Sequence, residues 1–354
     1  MIKTSGKFMS KKVKIGNVVV GGGERIAVQS MSTHKIKDIG LAAYDCERLA
    51  AVGCDILRFS VLDEEDAFAI KELKKRVNIP IVADIHFDYR LAIRAIESGA
   101  DKIRINPGNI GSDENIEKVA AAIKERRIPV RVGSNTGSIE KEHLNKYGKS
   151  EVALGESALK NVSVLERFGV DDIVVSVKAS DVPLTVKAYE YVAAKCDYPL
   201  HVGITEAGTE YNGVIKNAMG IGALLLKGIG DTIRVSLSAD PEKEVKAARA
   251  ILSGLDLIND CPKIIACPTC GRCAWDCMAF AKKTEDYVKN VRKPVKIAVM
   301  GCAVNGPGEA KDADIGVAGG KDGCVIFVKG EIYKRVKEDE LEKAFFGEID
   351  KCLL

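Results

Sequence analysis

No apolar run in this sequence approaches the roughly 18 residues of a membrane span. Its first stretch, Met1 to Lys12, is polar and basic and lacks the apolar core of a secretory signal. Charge of one sign is also scarce. A net +3 over 354 residues is too small a surplus to argue for nucleic acid or an anionic membrane surface. No P-loop is present, and no GxGxxG follows a strand. Val19–Gly23 is merely glycine-rich, and Gly220–Gly230 lies in a helical, Leu-rich stretch. Nucleotide binding therefore has no positive signal. What remains is a cytoplasmic-looking globular chain with 29% charged residues and a mean hydropathy near zero. Its length exceeds a typical single core and predicts one large domain plus a smaller one. Met9-Ser10-Lys11-Lys12 is a candidate start, which would make Met1 to Phe8 an unstructured extension.

From Ile26 to Leu237 one unit recurs: a short β-branched run, a polar loop, then an amphipathic helix. The expected strands are Ile26–Met31, Ile56–Val61, Pro80–Ile85, Lys102–Pro107, Pro129–Ser134, Asp172–Lys178, Pro199–Thr205 and Thr232–Leu237. Between them, Asp63–Arg76, Asp113–Arg126 and Glu151–Arg167 carry apolar positions at helical spacing. Gly53, Gly99, Gly169 and Gly230 stand where a helix must close before the next strand. Eight such units predict an α/β fold, a (β/α)8 TIM barrel. Val13–Ile15 and Val18–Val20 around Gly16-Asn17 predict a hairpin able to plug the barrel's N-terminal face. The longer fifth-to-sixth connection predicts an extra short helix near Glu140–Tyr147. After the last barrel helix, Pro241–Gly254, this grammar stops. Residues 1–258 are expected to form the barrel domain. Residues 259–354 are expected to form a smaller α+β domain, with elements at Glu285–Asn290, Val295–Met300, Ile315–Ala318, Cys324–Val328 and Glu338–Leu354.

In such a barrel the catalytic face lies at the C-terminal ends of the strands. Those ends are rich in charge here. Arg58 and Ser60 end the second strand, Asp84 and His86 the third, Arg104 and Asn106 the fourth, Arg131 and Asn135 the fifth. Ser176 and Lys178 end the sixth, Glu206 follows the seventh, and Arg234 with Ser236 ends the eighth. Four arginines and a lysine at one mouth repel one another unless an anion lies between them. That predicts a polyanionic substrate, most simply one with two phosphates. The plainer reading pairs each arginine with a carboxylate such as Asp84 or Glu206, but too few acids share those positions. Glu206 is the candidate general acid.

Against these shortages stand eleven cysteines, six of them between Cys261 and Cys302. In a reducing compartment a tight group of thiols points to metal rather than to disulfides. Cys46, Cys54 and Cys196 read as buried small hydrophobes. Cys267-Pro-Thr-Cys270-Gly-Arg-Cys273-Ala-Trp-Asp-Cys277 has the spacing of a ferredoxin run, with Met278 where such a run usually has Pro. Downstream comes Gly301-Cys302-Ala303-Val304-Asn305-Gly306-Pro307-Gly308-Glu309, three glycines and a proline around one thiol. Two ligand sets compete for iron: the local run, or Cys267 and Cys270 with distant Cys302 and a weak fourth ligand in Glu309. A carboxylate is a harder, more exchangeable ligand than thiolate, suited to a cluster that does chemistry. A helix over Arg272–Ala281 would leave Cys273 and Cys277 as ordinary residues. Structural zinc is the non-redox alternative, since paired cysteines at this spacing are common zinc ligands.

Cys267-Pro-Thr-Cys270 followed by Gly301–Ala310 resembles the cluster signature of the 4-hydroxy-3-methylbut-2-enyl diphosphate synthase family. The resemblance continues in the barrel at Ala27–Met31, Val82–Phe87, Arg104–Asn109, Val177–Asp181 and Gly203–Gly208, and runs in order from about Val13 to Glu342. It implies reductive ring opening and dehydroxylation of 2-C-methyl-D-erythritol 2,4-cyclodiphosphate to the linear allylic diphosphate in the non-mevalonate isoprenoid (MEP) pathway. It also implies a 4Fe–4S cluster on Cys267, Cys270, Cys302 and Glu309, in a domain like those of nitrite and sulfite reductases. Electrons would come from reduced ferredoxin or flavodoxin. The enzyme would be a cytoplasmic homodimer of the short form, one subunit's cluster domain capping the other's barrel. Arg58, Arg104, Arg131, Lys178, Arg234 and Ser236 would hold the diphosphate, and Asp84, Asn106 and Asn135 would line the substrate site. Glu206 would deliver a proton. The chain departs from the family pattern at Cys273 and Cys277, where relatives usually carry other residues, which leaves an alternative ligand set or thiol exchange during cluster loading open. Two rivals remain at this stage. One is a non-redox barrel enzyme on a phosphorylated substrate with structural zinc; the other is an iron–sulfur carrier without substrate chemistry.

Overall fold

The computed structural model describes residues 9–273, 275–320 and 323–354. The expectation for Met1 to Phe8 lies outside the described residues. Two compact units are present, dividing between Leu257 and Ile258.

The first unit opens with an antiparallel hairpin of β1 (Val13–Ile15) and β2 (Val18–Val20). Parallel strands follow: β3 (Ala27–Met31), β4 (Ile56–Ser60), β5 (Ile81–Asp84), β6 (Lys102–Arg104), β7 (Val130–Asn135), β8 (Ile173–Lys178), β9 (His201–Val202) and β10 (Thr232–Ile233). Helices α1 (Ile39–Ala51), α2 (Glu64–Lys74), α3 (Tyr89–Glu97), α4 (Asp113–Arg126), α6 (Glu151–Arg167), α7 (Val182–Ala193), α8 (Glu210–Leu226) and α9 (Pro241–Gly254) alternate with them, and α5 (Lys141–Tyr147) fills the long fifth connection. The strand order is β8-β7-β6-β5-β4-β3-β10-β9, and a parallel bridge from Val175 to Leu200 brings the two ends together. The (β/α)8 barrel read from the repeats is thus the observed fold. Several helix starts use side-chain caps: Asp63 accepts from Asp66 N–H and Asp181 from Leu184 N–H. Gly53 and Gly99 take φ of 97° and 96° at the helix ends, a region costly to residues with a Cβ.

Strands β9 and β10 are shorter than the runs Pro199–Thr205 and Thr232–Leu237 suggest. Just beyond Val202 the two backbones approach closely: Arg234 N–H donates to Val202 O at 3.0 Å, and a Cβ on Gly203 would meet Arg234 O at 2.3 Å.

The barrel interior is graded. Hairpin residues Val13, Ile15 and Val20 pack against Ala27, Ile56, Val82 and Val174, an apolar floor contributed by four strands. Side chains two residues further along share the same face. On these strands that step brings Gln29, Arg58, Asp84 and Ser176, so polarity rises toward the strand C-termini. Strand alternation alone converts the sequence pattern into a dry floor and a charged mouth.

The second unit is a five-stranded mixed sheet in the order β11 (Lys263–Ala266), β12 (Lys296–Met300), β13 (Ile315–Gly320), β14 (Gly323–Val328), β15 (Glu331–Val336). The first three strands are parallel and the rest antiparallel. Helices α10 (Cys277–Val288) and α12 (Glu338–Leu353) pack Phe280, Leu341, Phe345 and Ile349 against one side of it. A short helix, α11 (Gly306–Glu309), follows β12. Helix α10 starts later than the Arg272–Ala281 expectation because Asp276 caps it, accepting from Ala279 N–H. Cys273 therefore sits in a loop. Strands β11 and β15 lie outside the expected elements; both are edge strands, and three-quarters or more of each is at least partly exposed.

Candidate functional site

Register brings the charged strand ends of the barrel together. Asp84, Arg104 and Arg131 are partners across β5, β6 and β7, and Met31 is the partner of Arg58 across β3 and β4. The Asp84 carboxylate, 2% exposed, accepts from Arg104 Nη1 at 3.1 Å and lies 3.6 Å from Arg58 Nε and 3.5 Å from His86 Nε2. Burial alone would raise its pKa. Arg58, the His86 hydrogen bond, Arg104 and Arg131 outweigh that and hold it far below the ordinary carboxylate range. Arg234 Nε lies 3.6 Å from Glu244 of α9, which also accepts from Ser30 Oγ at 3.0 Å and Leu237 N–H at 2.9 Å.

Two acids therefore serve five cations. Burial, opposed by Asp84 and reinforced by Arg234 and Arg104, lowers Arg58 to about 10, still charged at neutral pH. Arg131 and Lys178 are pushed well below their ordinary ranges by burial first and neighbouring cations second. Arg131 Nε and Arg234 Nε are buried without a hydrogen-bond acceptor among the described residues. The mouth thus carries guanidinium donors in excess of the carboxylates that pair with them, a chemistry suited to anionic oxygens. The pairing expected of Asp84 is present. Glu206 instead is exposed on the loop after β9, with φ of 51°, a left-handed conformation that strains a residue with a Cβ.

The remaining barrel candidates are placed less uniformly. Asn106 is buried, and its Oδ1 accepts from Gly108 N–H at 3.1 Å, so part of its capacity shapes the turn after β6. Asn135 ends β7 as the register partner of Lys178. Ser236 is half-buried beyond β10, and its carbonyl accepts from Asn217 Nδ2 at 3.2 Å.

Several inward residues escaped the strand-end reading. Met31 Sδ accepts from Arg58 Nη2 at 2.8 Å, and Lys102 and His201 are fully buried inside the barrel. Glu244 was missed because it comes from a helix. Its signal was a carboxylate among the buried residues Val245 and Ala248. The signal for Lys102 was its position two before Arg104, on the same face of β6.

In the second unit, topology explains how distant cysteines can cooperate. Strands β11 and β12 run parallel with Ala266 opposite Val299, so Cys267 and Cys302 leave the same end of adjacent strands. Cys267 Sγ accepts from Thr269 N–H at 3.4 Å, and Thr269 itself has φ of 62°. Backbone N–H groups of Asn305 and Val304, with Arg272, draw the Cys302 thiol below its ordinary range against the effect of burial. Gly301 has no side chain where a Cβ would stand 3.5 Å from Cys267 Sγ. Cys270 is exposed, as is Glu309 at the end of α11. Beside Cys302 a cavity of about 640 Å³ is lined by Arg272, Val304, Gly319, Cys324 and Arg335.

These donors suit a soft, thiophilic iron site in chemistry: N–H groups are aimed at sulfur, and the thiolate form of Cys302 is favoured. They are not gathered. Among the described residues no group of three or more His, Cys, Asp or Glu is arranged to hold a metal ion. Cys273 Sγ lies 3.2 Å from the Cβ position of Gly301 and donates to Trp275 O, while Cys277 is buried in the core, its thiol pushed up to about 12 by burial.

A family model described as the GcpE TIM-barrel domain matches residues 10–249, and one described as the GcpE protein C-terminal domain matches residues 263–351. A protein of Caldanaerobacter subterraneus subsp. tengcongensis, named 4-hydroxy-3-methylbut-2-en-1-yl diphosphate synthase (flavodoxin), is 56% identical over 98% of both chains. One of the same name from Brevibacillus brevis is 52% identical over 97% of this chain and 96% of its own. Among solved structures, type I 3-dehydroquinate dehydratase from Clostridium difficile superposes with a TM-score of 0.51 at 17% identity, covering 70% of this chain and 98% of that one. Dihydropteroate synthase from Yersinia pestis gives 0.50 at 11% identity, covering 69% and 98%. These two likenesses concern the barrel fold alone.

Proposed function

The chain belongs to the GcpE family, and from that premise we propose that it reductively opens and dehydroxylates 2-C-methyl-D-erythritol 2,4-cyclodiphosphate, giving (E)-4-hydroxy-3-methylbut-2-enyl diphosphate for the non-mevalonate isoprenoid pathway. The observation that carries the reading is the mouth of the barrel, where five cations face two acids. Arg58, Arg104, Arg131, Lys178, Arg234 and Ser236 bind the diphosphate. Asp84, Asn106 and Asn135 orient the carbon skeleton, with Asp84 also keeping Arg58 and Arg104 in place. Glu206 delivers a proton as the hydroxyl leaves.

Cys267, Cys270, Cys302 and Glu309 hold a 4Fe–4S cluster, in keeping with the donor chemistry at β11 and β12. Bound there, such a cluster would supply the two electrons of the reduction. Reduced flavodoxin is the proposed donor, with reduced ferredoxin the alternative. The enzyme works in the cytoplasm as a homodimer; among the described residues no helix is long and apolar enough to cross a membrane. A non-redox enzyme with structural zinc fits poorly with relatives named for flavodoxin.

The test is anaerobic purification, iron and sulfide analysis, and addition of the cyclic diphosphate. A brown protein whose cluster spectrum shifts with substrate supports the reading. A colourless zinc protein, or a cluster blind to substrate, overturns it.

A further inference from the structure

The charges at the mouth do not exhaust those inside the barrel. Lys102 lies one layer deeper on β6 and is fully buried. Its Nζ donates to Gln29 Oε1 at 3.1 Å, and among the described residues no carboxylate pairs with it. Around it stand Arg131 from β7 and Arg58 from β4, both cationic. His201 from β9 is buried, with Nδ1 2.6 Å from Thr232 Oγ1 and Nε2 without a hydrogen-bond partner among the described residues. The other charged groups of the interior are Asp84, already claimed by Arg104, Arg58 and His86, then Lys178, and Arg234 with its own partner Glu244.

An ammonium in this position is shut off from bulk solvent, has no carboxylate partner among the described residues, and is repelled by its neighbours. The neutral amine suffers neither penalty and keeps the hydrogen bond to Gln29. We propose that Lys102 is a neutral amine in the free enzyme and takes up one proton when an anionic diphosphate settles among the cations above it. The reason is electrostatic. Two phosphoryl groups cancel the repulsion from Arg58 and Arg131 and leave a net attraction for an ammonium below them. Lys178 is the less suitable acceptor. It is slightly exposed, Glu244 attracts its proton, and it stands at the strand end where it meets the substrate directly.

Binding and protonation are then reciprocally linked. Substrate raises the proton affinity of Lys102, so the linked gain in substrate affinity is complete below the free-state value of Lys102. It is lost as pH rises through the higher, substrate-bound value. Between the two, affinity falls about tenfold per pH unit. Lys102 is a positioning residue for charge, acting through Arg58 and Arg131 without touching the substrate.

This inference rests on the reading that a cyclic diphosphate occupies the mouth. It is tested with cluster-loaded, full-length protein and no electron donor, titrated calorimetrically with the cyclic diphosphate in buffers of different ionisation enthalpy at one pH. The wild type should take up about one proton per ligand bound. Lys102→Met should bind the ligand with no uptake. Gln29→Glu gives the amine a carboxylate partner in advance, so uptake should vanish there although Lys102 is intact. That second variant keeps the test open if Lys102→Met fails to fold. Binding to wild type without proton uptake overturns the inference and leaves the functional reading standing. So does uptake that survives both variants and disappears only in Lys178→Met. Failure of the cyclic diphosphate to bind at all overturns both.

Discussion

The two units prepare for their ligands in opposite ways. In the barrel, the charged side chains sit on strands, are largely buried, and already converge around Asp84 and Glu244. In the C-terminal unit, the candidate ligand cysteines Cys267, Cys270 and Cys302 sit on loops, partly or wholly exposed, and among the described residues they are not gathered with others into a metal-holding group. The difference follows from what holds like charges together. Guanidinium groups can share a buried carboxylate and be fixed by sheet register, so the fold itself holds the cations of the mouth together. Arg272 and backbone N–H groups favour the Cys302 thiolate, but among the described residues no shared counter-charge draws the thiols together. The metal supplies the attraction, and ligand geometry comes with it.

The largest expected effect tests the dependent half of this comparison. Cys302→Ser should lose the cluster and with it all turnover, read as iron and sulfide content and visible absorbance. Cys273→Ser should keep both. A variant set in which Cys273→Ser loses iron and Cys302→Ser retains it would reassign the ligands to the local run.

Next comes Glu206, an exposed mouth candidate on the loop after β9. Glu206→Gln should bind the cyclic diphosphate as wild type does and slow turnover by about 10²–10⁴-fold. Full-rate turnover would remove it from the chemistry.

The prepared half is tested through stability. Asp84→Asn leaves Arg58 and Arg104 with a neutral neighbour and should cost about 3–5 kcal/mol in denaturant unfolding, partly restored by the diphosphate. The pH dependence follows from its lowered pKa. Asp84's contribution is complete above the ordinary carboxylate value of about 3.9 and is lost as pH falls through the lower folded value. Wild type and variant should therefore differ at neutral pH and converge only in strong acid. A neutral effect at pH 7 would mean that the arginines need no internal counter-charge.

The smallest effect concerns a support behind the mouth. Tyr189 is fully buried, and its hydroxyl donates to His201 O at 2.5 Å. Tyr189→Phe should cost about 1 kcal/mol by thermal unfolding, with little change in substrate affinity.

The barrel was legible because its signals are local. Apolar periodicity, the N-cap Asp63 and the closing Gly53 and Gly99 each depend on a few adjacent residues. The mouth was legible in part. Strand alternation aims Arg58, Arg104 and Lys178 inward, and no contact need be known to say so. What could not be read locally was the partner of each cation. Glu244 reaches Arg234 from a helix, and Met31 meets Arg58 through strand register. Lys102 passed unnoticed because a lysine in a short strand ordinarily points to water. In the C-terminal unit the helix containing Cys277 was misplaced toward Arg272 because the cap at Asp276 was overlooked.

By itself the sequence determined the eight-unit barrel, the charge at its strand ends, and the family to which Cys267-Pro-Thr-Cys270 and Gly301–Ala310 belong. These rest on spacing along the chain, and spacing survives without coordinates. It took the closed sheet to show that Asp84 is shared by Arg58 and Arg104, and that Lys102 is buried with no carboxylate partner among the described residues. The tertiary structure also decided that Cys267 and Cys302 leave the same end of paired strands. Charge balance and dielectric depend on distances between strands, and those distances exist only once the sheet has closed.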